Sequence, residues 1–183
     1  MQNSGNKLKL AFLPSKPQCN VDRERMTKTI KLLAEIDDIK VMIKPHTRTS
    51  DRIDLSIGKN LQNASDVLTA DLCEWADAIL VVGSSVITEA LMRKKPALYL
   101  KYLHSNTTLF EELHACWTIR NESELNSAVL SLCGNKKSIP YSQENVNNYL
   151  IEVVYGGTEE KDVLAKYKNF IVDYATETII GRS

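Results

Sequence analysis

The run Ala-Ile-Leu-Val-Val at 78–82, followed at once by Gly-Ser-Ser, limits the fold of this chain more than any other stretch. Five consecutive apolar residues with no polar alternation fit a strand covered on both faces, because a half-solvated strand places a polar side chain at every second position. Such a strand needs helices above and below it. A chain in which strands and helices alternate supplies them.

The rest of the sequence reads that way. Residues 7–14 give a first strand that ends at Pro14, and residues 39–43 a second that stops before Pro45. Between them Met26, Ile30, Leu33 and Ile36 recur at helical spacing behind a cap at Asn20 or Asp22. Residues 47–65 are polar and read as irregular with at most a short element, and a short strand is expected at 66–68 before a short helix. After 78–82, Ile87, Ala90 and Leu91 share one helix face, with Ser84 or Ser85 as cap. Residues 96–100 form the next strand. A helix capped at Asn106 or Thr107 follows, then an edge strand at 116–119. The next helix opens on a capping box of Asn121 and Glu124 and stops at Gly134. Two further helical patterns, broken at Gly156 and Gly157, fill about 140–180.

The expected fold is therefore α/β: a Rossmann-like, doubly wound parallel sheet with helices on both faces and C-terminal helices packing back. Residues 1–183 are expected to form a single domain with its core at about 7–133. In such sheets ligands sit at the carboxyl ends of the strands, beside the point where strand order reverses.

The 23 basic and 23 acidic residues cancel and are interspersed, which leaves no electrostatic footprint for nucleic acid. Cys19, Cys73, Cys116 and Cys133 are widely spaced and read as free buried thiols, and no metal or other cofactor is expected. No apolar run is long enough to cross a bilayer, and the N-terminal stretch lacks the features of a signal peptide, so a cytoplasmic location is expected. Phosphate loops of the Gly-x-x-x-x-Gly-Lys type, Gly-x-Gly-x-x-Gly turns and Gly-x-Ser-x-Gly elbows are all missing from the sequence.

Two segments following predicted strands carry candidate chemistry. Gly83 allows a sharp exit from the strand, and Ser84 and Ser85 place hydroxyls and main-chain amides where a phosphate is attracted. Glu89, about one helical turn on, is spaced to accept hydrogen bonds from the hydroxyls of a ribose. An ordinary capped helix with an acidic first turn accounts for the same residues without a ligand. Lys44, His46 and Arg48 follow the second strand and place up to three cations on the same rim, suited to a diphosphate. His104, Asn106, Thr107 and Thr108 follow another strand end; they either face the cleft or, as caps and a structural histidine, support it.

The stretch ADAILVVGSSVITEALMRKKPALYL at 76–100, with IKPHTR at 43–48, resembles the C-terminal, donor-nucleotide half of GT-B glycosyltransferases of the bacterial surface-polysaccharide type. It also resembles the related glycerophosphotransferases and nonhydrolysing UDP-N-acetylglucosamine 2-epimerases. The resemblance covers residues 7 to about 133. It implies that Ser84 and Ser85 contact the donor phosphates, that Glu89 holds the ribose, and that His46 meets the diphosphate or leaving group as the catalytic residue; Gly83, Lys44, Arg48 and Thr107, on the same rim, are the further donor-binding candidates. It further implies a nucleotide-sugar or CDP-linked donor, no metal, and a separate N-terminal acceptor-binding domain without which the chain binds but does not transfer. The location would then be cytoplasmic and peripheral to the inner membrane through the rest of the enzyme. Lys94 stands where the family has the glycine of a Gly-Lys-Pro segment. Half of a UDP-sugar epimerase and a nonenzymatic nucleotide-binding regulatory module are the alternatives.

Overall fold

A computed structural model describes residues 7–14, 21–46, 55–157 and 162–180, the side chains of the last segment as far as 174. Six parallel strands form one sheet: β1 (Leu8–Leu13), β2 (Ile39–Ile43), β3 (Leu61–Asn63), β4 (Ala78–Val81), β5 (Ala97–Leu100) and β6 (Trp117–Ile119). Their spatial order is β3-β2-β1-β4-β5-β6. The winding runs outward from β1 in one direction and from β4 in the other, so the order reverses between these two central strands. Both are covered on each side, and all four residues of β4 are fully buried.

Alternation along the strands builds two cores. Leu8, Leu10 and Phe12 of β1 and Leu80 of β4 face α1 (Arg23–Ala34) and α5 (Glu122–Gly134). Ala11, Leu13, Ile79 and Val81 face α2 (Thr69–Trp75), α3 (Val86–Met92), α4 (Leu109–Glu112) and α6 (Gln143–Val153). A period of two places successive side chains on opposite faces, which is why an uninterrupted apolar strand is needed only where both faces are covered.

Local signals set the helix ends. Asp22 caps α1, its carboxylate accepting from the Arg25 amide at 3.0 Å. At the other end of α1, Asn60 Nδ2 donates to the carbonyls of Leu33 and Ile36 at 2.8 and 2.9 Å and satisfies groups that a helix terminus leaves open. Asn121 caps α5, the Glu124 amide donating to Asn121 Oδ1 at 2.9 Å, while the Glu124 carboxylate reaches back to the Arg120 amide at 2.7 Å rather than to the Asn121 amide that the expected capping box would use.

Several expectations need correction. No strand forms at 66–68; the third strand is Leu61–Asn63, whose polar Gln62 and Asn63 concealed it at the sheet edge. The cap of α4 is Thr108 rather than Asn106 or Thr107, and its side chain makes no capping bond. Gly134 closes α5 from inside the helix, and Asn135 is the cap residue. Ser85 occupies the cap position of α3, as expected, but without a side-chain bond, while Ser84 Oγ accepts weakly from the Val86 amide at 3.3 Å. Lys94 adopts φ +55°, the left-handed region in which glycine is least strained.

After α5 the chain leaves the sheet. α6 packs on α3 through Val146, Tyr149 and Leu150, and its Tyr149 hydroxyl meets Thr88 Oγ1 at 2.8 Å. α7 (Val163–Ile180) carries Leu164, Tyr167 and Phe170 at 81%, 66% and 67% exposure. Among the described residues no helix is long and apolar enough to cross a membrane.

Candidate functional site

Because all six strands are parallel, their carboxyl ends open on one rim. The turn Gly83–Ser85 leaves β4 directly beside β1, at the point of reversal. Gly83 has φ +60°, and a Cβ there would lie 3.1 Å from His104 Nε2 and 3.2 Å from its Cε1. The main-chain amides of Gly83, Ser84 and Ser85 donate to no described residue, and Gly83 and Ser85 are exposed. Three successive N–H groups with no acceptor among the described residues suit an anion.

The residue beneath the turn is His104, 8% exposed. The Asn106 amide donates to His104 Nδ1 at 3.2 Å. Its Nε2 lies 2.8 Å from the Tyr99 hydroxyl, which donates onward to the Asn106 carbonyl at 3.2 Å. These directions are mutually consistent only for the neutral ring carrying its proton on Nε2. Burial lowers the His104 pKa, as does nearby Lys101, while Glu111 opposes them. Lys101 joins the cluster by donating to the Asn106 carbonyl at 2.7 Å and pairing with Glu111 at 3.0 Å. Burial also pushes the Tyr99 phenol up to about 12, which keeps it a neutral donor.

The remaining sequence candidates divide. Lys44 stands at the rim, but its ammonium donates to the carbonyls of Ser65 and Val67 at 3.0 and 2.7 Å, which spends two of its three protons on the loop after β3. His46 is half-buried two residues further on, after the end of β2. Arg48 lies outside the described residues. Glu89 sits in α3 with Oε1 2.6 Å from Arg93 Nε, and Arg93 in turn reaches Glu74 at 2.7 Å. Its Oε2 accepts from no described residue. Thr107 is exposed in the loop after His104.

Sequence reasoning undervalued the rim between β5 and α1. The Asp22 amide donates to the Leu103 carbonyl at 2.9 Å, and Val21 forms an isolated bridge with His104. Arg25 binds Glu122 through two nitrogens at 3.0 and 2.9 Å, donates to the Tyr102 carbonyl at 3.1 Å and lies 4.7 Å from the Tyr102 ring centroid. Nothing in the spacing of Tyr99 and His104 separates them from ordinary strand and loop residues. Among the described residues no group of His, Cys, Asp and Glu is placed to hold a metal ion.

The six-stranded 321456 sheet with trailing helices is similar in fold to one half of GT-B glycosyltransferases and of a UDP-GlcNAc 2-epimerase. No protein-family model and no curated protein matches the sequence. Among solved structures, the wall teichoic acid polymerase TagF is similar over 99% of this chain and 46% of its own, with a TM-score of 0.60 at 16% identity. The UDP-GlcNAc 2-epimerase of Methanocaldococcus jannaschii, in complex with UDP-GlcNAc and UDP, is similar over 82% and 46%, with a TM-score of 0.57 at 19% identity. The spinosyn rhamnosyltransferase SpnG is similar over 81% and 42%, with a TM-score of 0.59 at 10% identity. The chain thus spans less than half the length of each of these proteins.

Proposed function

We propose that this chain is the donor-binding half of a GT-B glycosyltransferase that assembles surface polysaccharide, taking a nucleotide-sugar or CDP-linked donor. The observation that carries the reading is the Gly83–Ser85 turn: amides that donate to no described residue, at the reversal point of a doubly wound sheet, where the family of folds binds its ligands.

In this reading the turn amides and the Ser84 and Ser85 hydroxyls hold the donor phosphates. Glu89 Oε2 accepts from the ribose while Oε1 stays with Arg93. Thr107 borders the donor, and Lys44 spends its remaining proton toward the diphosphate. His46, with Arg48, stabilises charge developing on the departing diphosphate, as preorganised donors and cations do in a site shielded from water. An acceptor-binding domain supplies the opposite wall. The exposed apolar residues of α7 favour such a covering domain, because water-facing Leu164, Tyr167 and Phe170 are costly to leave bare. The chemistry requires no metal in this reading, and the enzyme works at the cytoplasmic face of the membrane.

Half of a sugar-nucleotide epimerase is the second reading, favoured by the similarity to the UDP-GlcNAc 2-epimerase. Both readings predict nucleotide binding, and a nonenzymatic regulator would also show it; only supply of the second domain separates them, by transfer or by epimerisation. The direct test is a thermal-shift titration with uridine, cytidine, guanosine and adenosine mono- and diphosphates, with Glu89→Ala in parallel. At one hundred times the dissociation constant a ligand stabilises the native state by about 2.7 kcal/mol. A base-selective shift that Glu89→Ala diminishes is expected; absence of a shift with every nucleotide removes the proposal.

A further inference from the structure

We infer that His104 is the positioning residue of the Gly83–Ser85 turn, its ring forming the floor that holds the three amides in their anion-binding arrangement. The inference rests on the reading of that turn as the phosphate site and names a residue outside the donor-contacting set.

The geometry is specific. Gly83 lies so close above the imidazole that a single added carbon would stand 3.1 Å from Nε2. Retreat or rotation of the ring would strain three hydrogen bonds that close a cycle around it: Asn106 N–H to Nδ1, Nε2–H to the Tyr99 hydroxyl, and that hydroxyl to the Asn106 carbonyl. Phe110 closes the far side of Tyr99 edge-on at 4.9 Å. Lys101 and Glu111 are the charged groups beside the cycle, and they pair with each other. The Val21–His104 bridge ties the same residue to the chain entering α1. His104 thereby joins the segments that follow β1, β4 and β5, the three central strands around the reversal point. A histidine is suited to the position because its ring accepts on one edge and donates on the other, which neither phenylalanine nor asparagine does in that shape.

The test pairs His104→Phe, which keeps a ring but removes both nitrogens, with Tyr99→Phe, which keeps His104 but removes one partner. Inorganic pyrophosphate affinity is measured by titration calorimetry, and amide hydrogen exchange at 83–85 is read against exchange in β1. The loss of one to two hydrogen bonds' worth of ordering corresponds to about tenfold weaker pyrophosphate binding in His104→Phe, with a smaller loss in Tyr99→Phe. Exchange should quicken at 83–85 and stay constant in β1. Unchanged affinity and unchanged local exchange in both variants overturn the inference. If the parent itself binds no pyrophosphate, the phosphate reading falls, and exchange alone judges His104: faster exchange at 83–85 upholds its positioning role and unchanged exchange overturns it. If His104→Phe does not fold, Tyr99→Phe decides by the same two measurements.

Discussion

Alanine at Gly83 should cost far more than alanine at Gly156, although both glycines have left-handed backbones of nearly equal φ, +60° and +66°. A Cβ in that region costs about 1–2 kcal/mol wherever it occurs. At Gly156 nothing lies within 4 Å of the added carbon, so the conformational cost is the whole cost. At Gly83 the carbon meets the His104 ring at 3.1 and 3.2 Å, and the ring must move by a few tenths of an ångström. That movement strains the bonds to Tyr99 at 2.8 Å and from Asn106 at 3.2 Å, each worth about 1 kcal/mol. Gly83→Ala should therefore lose about 3–4 kcal/mol and Gly156→Ala about 1–2. In a chain of this size the difference of about 2 kcal/mol separates the two melting temperatures by roughly 4–8 °C. Urea denaturation of the parent and both variants measures it directly. Equal losses, within about 0.5 kcal/mol, would refute the reasoning, because the contact with His104 would then carry no energy.

Stability should also respond to His104 titration. Its pKa is depressed in the folded chain, so below about pH 6.5 the unfolded chain takes up a proton that the folded chain refuses. The stabilisation is complete above that pH and is lost as pH falls through the folded pKa; a melting curve of His104→Phe should lack this component between pH 7 and 5. Glu89→Ala should change the melting temperature little, because its ion pair with Arg93 is part-exposed and worth under about 1 kcal/mol, while nucleotide affinity falls; the reverse pattern would mark Glu89 as structural. A double-mutant cycle of Arg25→Met and Glu122→Gln should give a coupling of roughly 1 kcal/mol, reflecting a two-nitrogen pair at side-chain exposures of 36% and 31%. Additive losses would show that the Tyr102 contacts, not the pair, hold Arg25.

The sequence by itself determined the α/β alternation. Residues 78–81 declare their strand because burial on both faces demands unbroken hydrophobicity, residues 39–43 declare theirs by buried Ile39, Val41 and Ile43 at every second position, and Asp22 and Asn121 declare helix starts because their side chains satisfy open amides nearby. These are local interactions, and a local pattern encodes them. β3 escaped detection because an edge strand of three residues needs only Leu61 buried, and polar neighbours satisfy the rest. Gly83–Ser85 was legible as a candidate turn from its order after β4, and the four-residue spacing of Glu89 and Arg93 recorded their ion pair, whereas Lys44 gave no sign of the carbonyls it meets. Only tertiary structure turned the Lys44 ammonium onto the Ser65 and Val67 carbonyls, brought Arg93 to Glu74, and slid the His104 ring under Gly83. Lys44 and Gly83 meet groups some 20 residues away, and the strand order that places β1 beside β4 joins segments nearly 70 residues apart. Such contacts follow from how the sheet is wound, and no spacing along the chain records them.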